Sequence, residues 1–160
     1  MFRNGVYAGL LAAVALGIYL LQLWAPERQV ELHSLNLLAA IEDADADELT
    51  EFLADGYADD WGHDKALAVS RIRQIVRYTR DLRLVPANAS PRVVGLDGEW
   101  HARVTIEAEP TELSVMMMER VNNLTEPFVL KWRRQSWKPW DWKLVRASNP
   151  RLELPRDVFP

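Results

Sequence analysis

From Gly5 to Trp24 the chain reads GVYAGLLAAVALGIYLLQLW, an apolar run in which Gln22 is the only strongly polar side chain and no residue is charged. Twenty helical residues rise about 30 Å, the hydrocarbon thickness of a bilayer. Tyr19 and Trp24 lie toward one end of the run, where amphipathic rings suit the headgroup layer. Gly5, Gly9 and Gly17 do not break a helix that lipid forces to satisfy its own backbone. Three readings compete. A cleaved signal peptide needs small residues before the cut, whereas the exit Leu23-Trp24-Ala25-Pro26 is bulky and followed by proline. A buried core helix is the second. The length of the uncharged run favours the third, an uncleaved transmembrane anchor over residues 1–25. Arg3 and the amino terminus precede the run, and Glu27, Arg28 and Glu31 follow it. The positive-inside rule then expects a cytoplasmic N-terminus and a domain on the periplasmic, or extracytoplasmic, side of an inner membrane.

Beyond Pro26 the apolar period is first helical and then two. Pro26 suits the first turn of a helix, and one is expected over about Glu27–Asp43. It has one stripe of Val30, Leu37, Leu38 and Ile41 and a second of Leu32, Leu35 and Ala39, which predicts packing on two sides. Asp45 to Glu48 has the spacing of an acidic capping box, and Leu49, Phe52, Leu53 and Tyr57 continue at helical spacing up to Gly56 and Gly62. A third helix is expected from about Asp64 to Thr79, with Ala68, Ile72, Ile75 and Val76 facing inward and Arg73, Arg77 and Arg80 on another stripe.

After Asp81 the residues alternate. Leu82–Val85 reads as extended with Pro86 interrupting, and Val93-Val94 leads to a turn at Asp97-Gly98. Trp100, Ala102, Val104, Ile106 and Ala108 alternate with polar neighbours and make the clearest strand. Residues 110–126 fit either a short helix capped by Thr111 or an irregular strand. Phe128, Leu130 and Trp132 alternate, and after a turn near Trp137-Lys138-Pro139 so do Trp142 and Leu144. The expected fold class is α+β: three helices covering one face of a mostly antiparallel sheet, behind one membrane helix. The domain is expected over 26–150, followed by an extended, proline-containing tail over 151–160.

Composition narrows the chemistry. The 160 residues contain no cysteine, which excludes disulfides, thiolate metal sites, a cysteine nucleophile and a lipid-modified cysteine. The net charge is −4, and it opposes general nucleic-acid binding, so no nucleic-acid partner is expected. No phosphate-cradling glycine loop, nucleophile elbow or zinc-helix motif occurs. No cofactor and no metal is therefore expected, and no catalytic residue is assigned.

Three clusters remain. Residues 42–64 hold ten carboxylates and neither Lys nor Arg, whereas 65–83 hold six bases and one acid. Such runs are usually solvated faces, paired across neighbouring helices. Asp59, Asp60, His63 and Asp64 gather in one loop, and a histidine near carboxylates is the raw material of a general base or a metal site. The remaining histidines, His33 and His101, are remote in sequence, and the three or four ligands that a zinc site needs are not assembled by the pattern. Trp132, Trp137, Trp140 and Trp142 lie among Lys131, Arg133, Arg134, Lys138 and Lys143. Trp132 and Trp142 read as core across a hairpin. Trp137 and Trp140 at its turn, with Arg133 and Lys138, are candidates for contact with a partner protein or a headgroup layer.

The order of elements resembles the nuclear-transport-factor-2-like superfamily, which includes the SnoaL-like and ketosteroid-isomerase-like proteins. The likeness covers about residues 27–150. It rests on the opening helix ending in Ala40-Ile-Glu-Asp-Ala-Asp45, on Leu49, Phe52, Leu53 and Tyr57, on the arginine-rich helix, and on Phe128-x-Leu130-x-Trp132 followed by Trp142-Lys-Leu144-Val145. The resemblance implies a curved sheet wrapped by helices into a cone with a cavity, and Tyr57, Asp60 and His63 are the candidates for its mouth. It implies no particular reaction, because the superfamily hosts enzymes, binding proteins and scaffolds. The architecture of one span before such a domain also resembles the inner-membrane scaffolds of type IV secretion systems, without their motifs. The expected function is a membrane-anchored, non-catalytic accessory or scaffold subunit whose partners are the membrane and other membrane proteins. The alternative is a small-ligand binder or an isomerase- or dehydratase-like enzyme using the cone.

Overall fold

The computed structural model describes residues 2–153, within which five helices and four strands follow one another. They are α1 (Phe2–Leu23), α2 (Pro26–Glu42), α3 (Ala46–Phe52), α4 (Lys65–Tyr78), β1 (Arg83–Val94), β2 (Asp97–Glu107), α5 (Glu112–Asn122), β3 (Phe128–Arg134) and β4 (Trp142–Ser148). The strands form one open antiparallel sheet in the order β1-β2-β3-β4. The class is α+β, as the switch of period requires. The end of the tail, from 154 onward, lies outside the described residues.

The inward face of the sheet carries the alternating set. Trp100, Ala102, Leu130, Trp132, Trp142 and Leu144 are all buried, against Val30, Leu37 and Leu38 of α2 and Leu49 of α3. Trp132 Nε1–H donates to Ser34 Oγ at 2.9 Å, and Ser34 Oγ–H donates to the Val30 carbonyl at 2.8 Å. His33 and Phe52 meet Trp132 edge to face. A buried indole usually finds such a partner for its N–H, which explains a serine on the core side of α2, although the N–H of the equally buried Trp100 has none among the described residues. Gly98 is equally specific: a Cβ there would lie 2.5 Å from Val30 Cγ2. That contact fixes the N-terminal part of α2 over the start of β2.

Several expectations need correction. α2 packs mainly on one side, because Leu35 and Ala39 of the second stripe are exposed. α3 stops at Phe52 instead of running to Tyr57. Leu53 is already extended and bridges Leu144, and the N–H groups of Ala54, Ala58 and Asp60 donate to the carbonyls of Leu144, Val145 and Ala147. The free edge of β4 thus competes for the backbone of this segment, and pairing there covers an otherwise open edge. Pro86 does not interrupt β1. The strand is at the sheet edge, where proline costs no ladder bond if its nitrogen points outward. The first hairpin turns at Gly95-Leu96, two residues before the expected Asp97-Gly98. Gly95 supplies the positive φ of +64°, while Gly98 serves helix packing. Residues 112–122 are helical, with Thr111 and Ser114 forming a reciprocal capping box.

The two remaining caps are as the acidic residues suggest. Asp45 accepts from the N–H groups of Asp47 and Glu48, and Asp64 accepts from that of Leu67. Helix α1 differs from all other elements. The side chains from 9 to 16 are all exposed, and eight consecutive residues point in every direction around a helix axis. Leu11, Val14, Leu16, Ile18 and Leu21 are each more than half exposed. Among the described residues no single helix is long and apolar enough to cross a membrane. Gly9–Leu23 and Pro26–Glu42 meet that test only as a pair, bent by 66°.

Candidate functional site

The acidic loop between α3 and α4 is held by Asp59. One of its carboxylate oxygens accepts from the backbone N–H groups of His63 at 2.7 Å and Trp61 at 3.0 Å; the other lies 2.8 Å from His63 Nδ1. Its side chain is almost fully buried. Trp61 Nε1–H donates to the Leu152 carbonyl at 2.8 Å, tying the loop to the chain beyond β4. Asp60 faces outward and pairs with Arg146 of β4 through both Nε and Nη2. Tyr57 belongs to the hydrophobic core. Burial pushes its hydroxyl pKa well above the usual tyrosine range, and the nearby negative charges of Asp59 and Asp60 push the same way. Of the three cavity-mouth candidates, Tyr57 is therefore interior, Asp60 is in a surface ion pair, and His63 is oriented by Asp59. An open groove of about 690 Å³ lies elsewhere, between α4 and the turn after α2, lined by Ala44, Val69, Arg73, Gln74, Arg77 and Tyr78 among others.

The β3–β4 hairpin sorts its tryptophans by position. Trp132 and Trp142 are interior, and Trp142 Nε1–H donates to the Pro139 carbonyl at 2.8 Å. At the turn Trp137 is 83% exposed and Trp140 is 52% exposed. Arg133 pairs with Asp97 at 2.9 Å on the surface, and Lys138 is exposed. The Arg134 guanidinium carbon lies 5.9 Å from the centre of the Trp142 ring.

Topology gives this turn two neighbours. The Arg134 N–H donates to the Leu96 carbonyl at 2.9 Å, so the β1–β2 turn is adjacent to the end of β3. Val94 and Leu96 on that turn are 82% and 53% exposed. Trp24, in the short link between α1 and α2, packs on Trp140 with ring centroids 6.3 Å apart. Tyr19 is exposed on α1. The structure thus gathers Trp24, Trp140 and Trp137 at one end of the domain. Sequence reasoning missed Val94 and Leu96. Two large apolar residues flanking Gly95 in a turn were the available signal, since turns ordinarily carry polar side chains.

On the outward face of the sheet Glu99 joins Lys131 at 3.0 Å and His101 at 3.1 Å. The Lys131 hydrogen bond, seconded by His101, holds the Glu99 carboxyl below its ordinary range. These groups are solvated, and such pairs contribute little to stability. Among the described residues no group of three His, Asp or Glu side chains is placed to hold a metal ion.

No protein-family model and no curated protein matches the sequence. Solved structures do match the fold. An NTF2-like protein from Cytophaga hutchinsonii is 18% identical, over 76% of this chain and 95% of that one, with a TM-score of 0.53. An NTF2-like protein of unknown function from Pseudomonas putida is 12% identical over 84% and 96%, with a TM-score of 0.57. An NTF2-like protein of unknown function in nutrient uptake from Rhodospirillum rubrum is 25% identical over 74% and 93%, with a TM-score of 0.53. The domain has the NTF2-like fold.

Proposed function

We propose that this protein is a single-pass membrane protein whose NTF2-like domain is a non-catalytic accessory or scaffold subunit of a membrane protein assembly, on the extracytoplasmic side. The observation that carries this reading is α1. A helix apolar on every side is stable where it is buried in protein or lipid, and the domain beneath covers almost none of it. Gly9–Leu23 is short for a span on its own, but the 22 residues of α1 rise roughly 33 Å. The interior of the domain supports a structural role, because the space between α2 and the sheet is occupied by Trp100, Trp132 and Trp142.

The reading is tested by alkaline carbonate extraction of full-length protein from vesicles, followed by purification in mild detergent. Retention in the membrane and recovery with other membrane proteins are the expected results. Release by carbonate overturns the anchor, and a strictly solitary protein overturns the subunit role.

A second reading, a small-ligand binder or an isomerase- or dehydratase-like enzyme, draws on the Asp59–His63 pair. A buried carboxylate orienting an imidazole is a common arrangement for a general base. Under that reading His63→Ala abolishes turnover or ligand binding in protein that is still folded at the assay temperature, although unpairing the buried Asp59 lowers its melting temperature.

A further inference from the structure

Large apolar side chains at hairpin turns are unfavourable in water and favourable at a membrane–water interface, where tryptophan concentrates. Both turns of this sheet point to one end of the domain, because the β2–β3 connection through α5 leaves from the other. Val94, Leu96, Trp137 and Trp140 project there, all at least half exposed. That same end receives α1. Trp24 stands directly after the apolar helix and packs on Trp140. The link consists of Trp24 and Ala25 alone, and Gln29 Nε2–H closes it by donating to the Leu23 carbonyl at 2.7 Å. So short a tether keeps the turns beside the point where α1 meets the domain.

From this arrangement we infer that the two hairpin turns are a second membrane contact. Val94, Leu96, Trp137 and Trp140 seat in the headgroup layer of the bilayer that α1 enters and set the tilt of the domain upon it. The inference rests on the reading of α1 as an anchor. Charge agrees with a lipid surface: Lys138 is exposed and makes no ion pair among the described residues, and Arg133 is balanced by Asp97 at the rim. Basic side chains beside interfacial aromatics suit anionic headgroups, which draw each cation toward the surface. Amphipathic surfaces of this kind sink only about 5–10 Å, to the boundary of headgroups and acyl chains. The turns therefore orient the domain and do not replace the span.

The absence of cysteine makes the test direct. Four single-cysteine variants of the full chain, Leu16→Cys, Val94→Cys, Trp137→Cys and Asp47→Cys, are nitroxide-labelled. They are reconstituted in vesicles of phosphatidylcholine and phosphatidylglycerol. Depth is read from relaxation by oxygen against a water-soluble nickel chelate. Position 16 reports the span, and 47 is an exposed site in the acidic first turn of α3. The expected result is a hydrocarbon depth at 16 and an interfacial depth at 94 and 137, with chelate accessibility several-fold below that at 47. A hydrocarbon depth at 16 with 94 and 137 as accessible as 47 overturns the hairpin contact and leaves the anchor standing. In that case the turns are free for a protein. Water at position 16 overturns both.

Discussion

Trp132 and Trp142 differ from Trp137 and Trp140 in almost every physical respect, although all four fall within one short hairpin. The first pair lies on the strands, on the face that alternation turns toward α2, and each N–H has an acceptor. The second pair lies on the turn, where Trp137 is mostly solvated and Trp140 is half exposed beside Trp24. Residue type does not separate the pairs, since the side chain is the same. Position relative to the pleat does, because successive strand residues point to opposite faces while turn residues have no sheet face to join. The same contrast holds for the molecule. One set of apolar side chains closes a core, and another, on α1 and the two turns, is left outside it.

Breaking the first set should cost stability, and breaking the second should not. Trp132→Ala removes a fully buried indole and is expected to destabilise the domain by about 3–5 kcal/mol in urea unfolding. Trp137→Ala should remain within about 0.5 kcal/mol of the parent, since its ring is mostly solvated. Equal losses from the two variants would dissolve the distinction. Next in size is Gly98→Ala. The added methyl collides with Val30 Cγ2, and forcing it in should cost ~2 kcal/mol. Val30→Ala alone also destabilises, but the double variant should lose clearly less than the two single losses together, because the second change makes room for the first. Strict additivity would show that α2 does not pin the start of β2.

Ser34→Ala sharpens the contrast at the level of one hydrogen bond. It strands the Trp132 N–H in the core and should cost about 1–2 kcal/mol, a loss that Ser34→Thr partly restores if its hydroxyl reaches the same ring. An unchanged midpoint for Ser34→Ala would mean that the indole finds water or another acceptor.

The alternation that sorts the tryptophans was legible in the sequence, and so was the switch from helices to sheet. Asp45, Asp64 and Thr111 cap helices because short polar side chains at those offsets satisfy free N–H groups. What escaped depends on distant partners. α3 ends early because β4, ninety residues later, offers free carbonyls to Ala54 and Ala58. Local spacing at Leu53 and Tyr57 contains no trace of that competition. The hairpin turn was misplaced because Asp97-Gly98 is a good turn dipeptide, yet Gly98 is needed against Val30. In the acidic loop, sequence proximity brought Tyr57, Asp60 and His63 together as one mouth. They remain neighbours but differ in surroundings, because Tyr57 turns inward while Asp60 pairs with Arg146. The aromatic end of the domain was half legible. Trp137 and Trp140 were visible as a pair, but the packing of Trp24 on Trp140 and the placing of the Leu96 turn beside the end of β3 follow from topology alone.

Tyr57 offers the finest test of inside against outside, because burial there has a pH signature. Its ordinary pKa is 10.0, and in the folded protein burial, then the charges of Asp59 and Asp60, raise it. Below pH 10 both folded and unfolded chains keep the phenol neutral, and the contribution to stability is complete. Above it the unfolded chain releases the proton while the folded chain retains it, so the unfolded state gains and stability falls as pH rises. The loss approaches about 1.4 kcal/mol per pH unit until the folded value is reached. Tyr57→Phe removes the proton without removing the ring. At pH 8 the variant should unfold within about 0.5 kcal/mol of the parent. By pH 11 the Phe variant should be the more stable of the two by ~1 kcal/mol, the excess being the proton the parent's unfolded chain sheds. Parallel stability curves from pH 8 to pH 11 would place the Tyr57 hydroxyl in water and return the residue to the surface of the acidic loop.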